Sequence, residues 1–505
     1  MLSERTEYRT SARALAEHTL DAHSARVRVP TYDRGALRPG VVHLGVGGFH
    51  RSHQATYFDD LAEGGVTTDW GIVGVGMRRP RMKEALEPQD CLYTVVERDE
   101  GGSSARIVGV MPRYLCAPQE PEAVLAALTD RQTRVVMLTV TGDGYHVNAD
   151  TGELDADGEA VRADLDNPSR PTTPTGYIVE ALARRRAAGV PPFTVMSCDN
   201  IPRNGDVART ALVGFGTLRD ELLGRWIEKM VACPSSMVDR ITPETTDADR
   251  AAIRREFGVD DRWPVVTEPF RQWIVEDEFC DVRPPLEEAG VQFVGDVGPY
   301  QLMKTRLLNA SHSAIGYLGA LAGHERTDDA MADPVLCAYV TDLMAKEVAP
   351  LLPATPGVDH GEYRRTLLRR FANPSIGDPL ARLCGRGSTK MPAYLLPSIA
   401  DAQKRGRSHP LLTLAVAAWL RYLRGTDCEG RPIEIKDAFK DELQRLAREG
   451  GADPRPMLGR RDIFGDLGLN QDFVAAVGRD LVTLDRHGVH AAVAGRLGAR
   501  VARAA

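Results

Sequence analysis

The sequence predicts an α/β protein: a mainly parallel sheet domain, residues 1–295, followed by a mainly helical domain, residues 296–505. Three observations carry this. Apolar, β-branched runs alternate with helical stretches through about residue 295, the pattern of a parallel sheet covered by helices. Beyond that point such runs thin out and helical periodicity takes over. Between the two lies "VQFVGDVGPY", where the character of the chain changes. At 505 residues the chain is long enough for two or three domains, each with its own core.

Taken in order, residues 1–40 read as polar and irregular, ending in "LRPG". The first strand, in "VVHLGVGGFHR", runs straight into glycines, and "SHQATYFDDLAEGG" behind it reads as a helix closed by glycine. "WGIVGVGM" and "RVVMLTVTGDGY" are further strands, and "PPFTVMSCDNIPRNG" is an apolar run that ends abruptly in polar residues. In the second half, helices are expected at 300–323, 331–350, 410–424, 436–448 and 471–497, with "NPSIGDPLARLCGRGSTKMP" as a glycine-punctuated connection. The sequence holds no internal repeat and no low-complexity tract.

The bulk properties exclude several functions. Net charge is −7, and no basic stripe is dense enough for a nucleic-acid partner. No apolar run approaches the ~20 residues that span a bilayer. "MLSERTEYRT" carries charge where a signal peptide needs an apolar core, so a cytoplasmic location is expected. The eight cysteines are scattered with no CxxC pair, which reads as reduced thiols and argues against a structural zinc site.

The glycine turn after the first strand suits a dinucleotide and makes the first domain Rossmann-like. Gly45 allows the tight turn, Gly47 lets the backbone approach a pyrophosphate, and the helix N-terminus attracts its charge. The GxGxxG match is imperfect, because His50 stands at the third glycine position. The expected cofactor-binding set is Gly45, Val46, Gly47, Gly48, Phe49, His50 and Arg51 with Arg78, Thr139 and Thr141. The acid that usually grips the ribose at the end of the second strand is missing; the chain reads Met77, Arg78, Arg79 there. NAD is the expected cofactor, and NADP is open because nothing at that strand end repels a 2′-phosphate.

If a nicotinamide is bound, the protein must supply an acid or base for the alcohol proton and donors for the carbonyl oxygen. Zinc ligands are one solution, but the close pair His50 and His53 of "HRSH" sits in the glycine turn. A Tyr-x-x-x-Lys pair is another, and Tyr300 and Lys304 supply that spacing outside the nucleotide domain, where it reads as a decoy. The third is a lysine base with amide donors, offered by Lys304, Asn309 and His312 in "YQLMKTRLLNASHSAIGYLG". On an α-helix Asn309 lies about 140° and His312 about 80° from Lys304, so all three can project from one side. A solvated polar face is the competing reading.

"GVGGFHR", "SCDNIPRNG", "MVDRITP", "EPFRQW" and "KTRLLNASH" stand in the order and spacing of the polyol-specific long-chain dehydrogenases. From about residue 40 to beyond 390 the chain resembles the mannitol 2-dehydrogenase family. The resemblance implies Lys304 as general base, a role that requires burial and neighbouring cations to lower a lysine pKa from about 10.4. It implies Asn309 and Asn200 as the amide pair that holds the developing oxyanion, and His312 as the group that orients substrate. Asp239, Arg382 and Lys390 match groups that bind polyol hydroxyls, and a cleft between the domains is expected. Two positions depart from the family: Gly142 and Gln301 stand where glutamates are usual, near the route by which the lysine exchanges protons.

The sequence therefore predicts a metal-independent NAD(P)-dependent oxidoreductase that interconverts a sugar alcohol and a ketose, with mannitol and fructose leading. A hexuronate reductase acting on fructuronate and mannonate, or a pentitol dehydrogenase, is the alternative within the superfamily. Outside it, the alternative is a nucleotide-binding regulator without turnover.

Overall fold

Five short, almost entirely buried strands organise the first half: β1 (Val41–Leu44), β2 (Ile72–Gly76), β3 (Arg113–Cys116), β4 (Val135–Leu138) and β5 (Thr194–Ser197). They lie in the order β3-β2-β1-β4-β5, all parallel, with Val41 opposite both Ile72 and Val135. Successive residues feed opposite faces, as a strand requires. Val42, Leu44, Val73, Val75, Val136 and Leu138 enter one apolar core, and Val41, Ile72, Val135 and Met137 the other. Burial on both faces explains why β1, β2, β4 and β5 read as apolar runs. β3 begins at the exposed Arg113 and escapes the sequence reading. The chain turns back at β1, which places a topological switch point between β1 and β4 at the carboxyl edge of the sheet.

The computed structural model describes residues 12–148 and 151–498. Part of the expected irregular N-terminal stretch, residues 1–11, lies outside the described residues. Between Ala12 and β1 the chain forms only a two-residue strand and two short 3₁₀ turns. After β1 come α1 (Gly48–Ser52) and α2 (Gln54–Glu63). The sheet is mainly parallel, but smaller sheets carry antiparallel pairs that the sequence reading did not separate. Tyr93–Asp99 pairs with Gly102–Val108 across a tight turn in "DEGG", and Ser236–Asp239 pairs with Gln272–Glu276.

The chain divides into two compact units, Met1–Gly298 and Pro299–Ala505. No strand follows Val294 among the described residues. The second unit is built around α4 (Ala310–Leu321) and α7 (Pro410–Tyr422), whose side chains are nearly all buried in one continuous apolar core. α3 (Gly298–Lys304) leads into α4, the short α5 (Leu380–Cys384) and α6 (Gly387–Lys390) follow, and α8 (Gln471–Leu497) closes the unit with a kink at Gly488. The helix expected at 331–350 is broken: Asp333 caps a new helix at Pro334 by accepting the Val335 amide at 2.8 Å. No helix among the described residues is long and apolar enough to cross a membrane.

Candidate active site

A cavity of about 580 Å³ opens at the carboxyl edge of the sheet. Gly45 forms its floor with φ +93°, and a Cβ there would come within 2.2 Å of the Thr139 carbonyl, so the turn admits only glycine. Thr139 Oγ1 donates to the Gly45 carbonyl at 2.6 Å. With that proton committed, His43 Nε2, 2.8 Å away, is the donor to Thr139 Oγ1. Beyond Gly47 a side chain would meet nothing within 4 Å.

Of the expected cofactor set, Gly45, Val46, Arg78, Thr139 and Thr141 line this cavity. Gly47 and Gly48 lie where the turn enters α1. The side chains of Phe49, His50 and Arg51 pack elsewhere, because α1 turns them into the core. His50 is fully buried and stacks on His43 at 3.4 Å between ring centroids; Phe49 stacks on His53 at 4.9 Å. Arg51 donates to the Trp263 carbonyl and lies over the Tyr93 ring. Burial holds His43 and His53 down to about 3 and His50 well below its ordinary value, so these rings are neutral packing groups. The "HRSH" pair belongs to this core, with His53 Nε2 bonded to the Gln272 carbonyl at 2.9 Å. No group of three or more metal-ligating side chains occurs among the described residues.

Asp199, at the end of β5, organises the opposite wall. Its carboxylate accepts the amides of Val140 at 3.0 Å and Thr141 at 2.8 Å, and the Tyr145 hydroxyl at 2.8 Å. Thr141 sits at φ +69°, a strained conformation for a β-branched residue, and these bonds hold it there. Asn200 follows directly and is exposed. Asn204 Nδ2 donates to the carbonyls of Asp199 at 2.9 Å and Ser236 at 3.0 Å. The "SCDN" turn is thereby fastened to the strand that ends in the buried Asp239. Sequence reasoning missed Asp199 and Asn204, although both lie inside the motif that supplied Asn200. A side chain at Gly142 would meet only Ile201, at 3.7 Å.

In the second unit α3 does not continue directly into α4. Residues Thr305–Asn309 form a π-turn, closed by the Ala310 amide donating to the Thr305 carbonyl. The expected 140° between Lys304 and Asn309 is therefore corrected: the wider π-turn takes more residues per turn than an α-helix, which narrows the angle between the two side chains. His312 follows on the first turn of α4. Lys304 and Asn309 are buried, and Asn309 Nδ2 and His312 Nε2 are buried atoms without a hydrogen-bond partner among the described residues. The His312 ring packs on Phe371 at 4.4 Å. Burial first, and then the cations Arg382, Arg370, Lys390 and Lys304, push His312 well below its ordinary pKa, so the ring is neutral. Tyr300, the decoy partner, is buried and donates to the Pro356 carbonyl at 2.9 Å.

Arg382 and Lys390 belong to the same surroundings. Arg382 is paired bidentately with the buried Asp378, with Nε 2.6 Å from Oδ1 and Nη2 on Oδ2. Lys390 Nζ donates to the carbonyls of Arg382 and Leu383, each at 3.0 Å, near the C-terminal end of α5. Burial and the Arg382 charge lower Lys390 to about 8. Another π-turn, Met391–Leu395, begins directly after Lys390 and packs on the one after Lys304. Asp378 escaped the sequence reading; its signal is the Asp–Arg spacing of four residues.

Comparison with known proteins agrees with this architecture. Residues 39–288 match the mannitol dehydrogenase Rossmann domain and residues 296–485 the mannitol dehydrogenase C-terminal domain. Mannitol dehydrogenase 2 of Saccharomyces cerevisiae is 45% identical over 489 residues, covering 96% of this chain and 97% of the yeast protein. The solved ternary complex of Pseudomonas fluorescens mannitol 2-dehydrogenase with NAD and D-mannitol superposes with a TM-score of 0.89 at 40% identity, covering 96% of this chain and 99% of that one. A D-sorbitol dehydrogenase in substrate-free form gives a TM-score of 0.86 at 38% identity, covering 95% of this chain and all of that one. The chain belongs to the mannitol dehydrogenase family.

Proposed function

We propose that the protein is an NAD-dependent oxidoreductase that interconverts a sugar alcohol and the corresponding ketose, with mannitol and fructose as the leading pair. The observation that carries this reading is the face of Lys304, Asn309 and His312, where the buried Asn309 Nδ2 and His312 Nε2 have no hydrogen-bond partner among the described residues. Buried polar atoms are rarely left so, and a substrate's hydroxyl groups offer what both lack. In the first unit, the 580 Å³ cavity at the switch point, the obligatory glycine at 45 and the open space beyond Gly47 fit an adenine dinucleotide.

Bound NAD supplies the hydride acceptor. Lys304 Nζ takes the proton of the reacting hydroxyl. Asn309 Nδ2 donates to the same oxygen as charge develops on it, and Asn200 is assigned as the second amide. His312, neutral, uses Nε2 to orient a substrate hydroxyl. Asp239 accepts from, and Lys390 and Arg382 donate to, the remaining hydroxyls. Gly45, Val46, Thr139 and Thr141 hold the dinucleotide.

The pairing of Arg382 with Asp378 favours a neutral polyol over a hexuronate, because the guanidinium charge is already balanced by a buried carboxylate. A regulator without turnover has no use for the unpartnered donors beside Lys304. A spectrophotometric screen tests the reading: NAD with mannitol, D-sorbitol and pentitols, and NADH with fructose and hexuronates. Turnover of a hexitol and fructose supports it; turnover of hexuronates alone, or of nothing in the panel, contradicts it.

A further inference from the structure

Rossmann sheets choose between the two nicotinamide dinucleotides at the end of the strand after the glycine turn. A carboxylate there bonds the ribose hydroxyls and repels a 2′-phosphate, whereas an arginine accommodates the phosphate. In the structure this strand is β2. β2 pairs directly with β1, from Val41 opposite Ile72 to Leu44 opposite Val75, and ends at Gly76. A side chain at Gly76 would come within 2.2 Å of Tyr114 Oη, so the polarity of this edge is set by the residues that follow. They are Met77, Arg78 and Arg79, all of which line the dinucleotide cavity.

Arg78 and Arg79 are exposed and make no hydrogen bond or ion pair among the described residues. The next arginine along, Arg81, is held 5.5 Å over the Trp263 ring in the same wall. The carboxylate that lines the cavity, Asp143, stands on the loop after β4, on the opposite side of β1 from β2. The ribose side of the cavity is thus cationic, with the guanidinium groups of Arg78 and Arg79 uncommitted among the described residues.

We infer that Arg78, seconded by Arg79, forms a subsite for the 2′-phosphate of NADP, so that the protein accepts both dinucleotides. This inference rests on the dinucleotide-binding reading of the cavity given under Proposed function. The phosphate oxygens accept from the guanidinium of Arg78, and Arg79 adds charge.

Calorimetric titration of the purified protein tests it without turnover, with adenosine 2′,5′-bisphosphate against adenosine 5′-phosphate and NADPH against NADH as ligand pairs. The wild-type protein should bind the 2′-phosphorylated member of each pair at least as tightly as the other. Arg78→Asp should shift both affinity ratios against the 2′-phosphate by about tenfold to a hundredfold, the equivalent of one or two charged hydrogen bonds. Arg79→Ala should shift them in the same direction by less. Ratios unchanged in Arg78→Asp, or a wild-type protein that binds NADH and rejects NADPH, overturn the inference and leave the NAD-dependent reading standing. Failure of the wild-type protein to bind either dinucleotide overturns both.

Discussion

Asp199 Oδ1 accepts the backbone amide of Thr141 at 2.8 Å and holds it at φ +69°. One carboxylate therefore shapes the wall of the dinucleotide cavity while its chain neighbour, Asn200, is the assigned oxyanion amide. An asparagine at 199 would turn one of its oxygens into a donor facing the amide of Val140 or Thr141. Asp199→Asn should raise the KM for NAD by about tenfold or more, since charge-assisted bonds of this kind are worth about 1.5–3 kcal/mol each. The KM for polyol should move less, and initial-rate kinetics with each substrate varied in turn separate the two. An unchanged KM for NAD would remove Asp199 from any positioning role.

His312 is neutral because burial and four nearby cations oppose its protonation. A folded pKa well below 6.5 means that the ring takes no proton as pH falls through the usual histidine range. His312→Gln, which keeps a polar side chain at this position, should lower kcat/KM for polyol by about tenfold to a hundredfold, the cost of one buried hydrogen bond. The acid limb of the pH–rate profile should keep its midpoint. A limb near pH 6.5 that disappears in the variant would show that His312 titrates during turnover.

Arg382 tests substrate class. Under the proposed role of Arg382 in holding substrate hydroxyls, Arg382→Ala should raise the KM for polyol. The Kd for NADH should stay within about twofold, because Arg382 is not among the residues that line the dinucleotide cavity. Asp378→Asn unbalances the same guanidinium, and the KM for fructuronate relative to fructose should then fall. An unchanged KM for polyol in Arg382→Ala would place this arginine outside the site.

The sheet and the candidate site differ in how far the sequence exposes them. β1, β2, β4 and β5 are legible because burial on both faces makes them apolar runs, whereas β3 is short, begins at the exposed Arg113 and is not. The Tyr93–Asp99 hairpin is half-exposed and blends into its flanking loops. Lys304, Asn309 and His312 are legible as a constellation, yet their geometry is not. Nothing in "TRLLN" announces a π-turn, and the α-helical rule overstates the angle between the two residues that flank and end it. Asp199 reads as one more polar residue after a strand, since the loop it braces lies 58 residues away in the chain. Arg382 reads as a free cation until the fold closes Asp378 onto it. Composition and local period report on burial and helix faces; they do not report which backbone amide a carboxylate will meet.

The account stands or falls on Lys304 as the base. Rapid-mixing measurement of hydride transfer from mannitol to NAD in Lys304→Ala, beside Tyr300→Phe, tests it most directly. Loss of a positioned general base costs about 10²–10⁴-fold, so Lys304→Ala should lose at least that much in the hydride-transfer rate. It should still bind NADH, and added small primary amines should restore part of the rate. Tyr300→Phe should transfer hydride at close to the wild-type rate, because its hydroxyl is spent on the Pro356 carbonyl. Near-normal transfer in Lys304→Ala, or a dead Tyr300→Phe protein that still binds NADH, would contradict the mechanism.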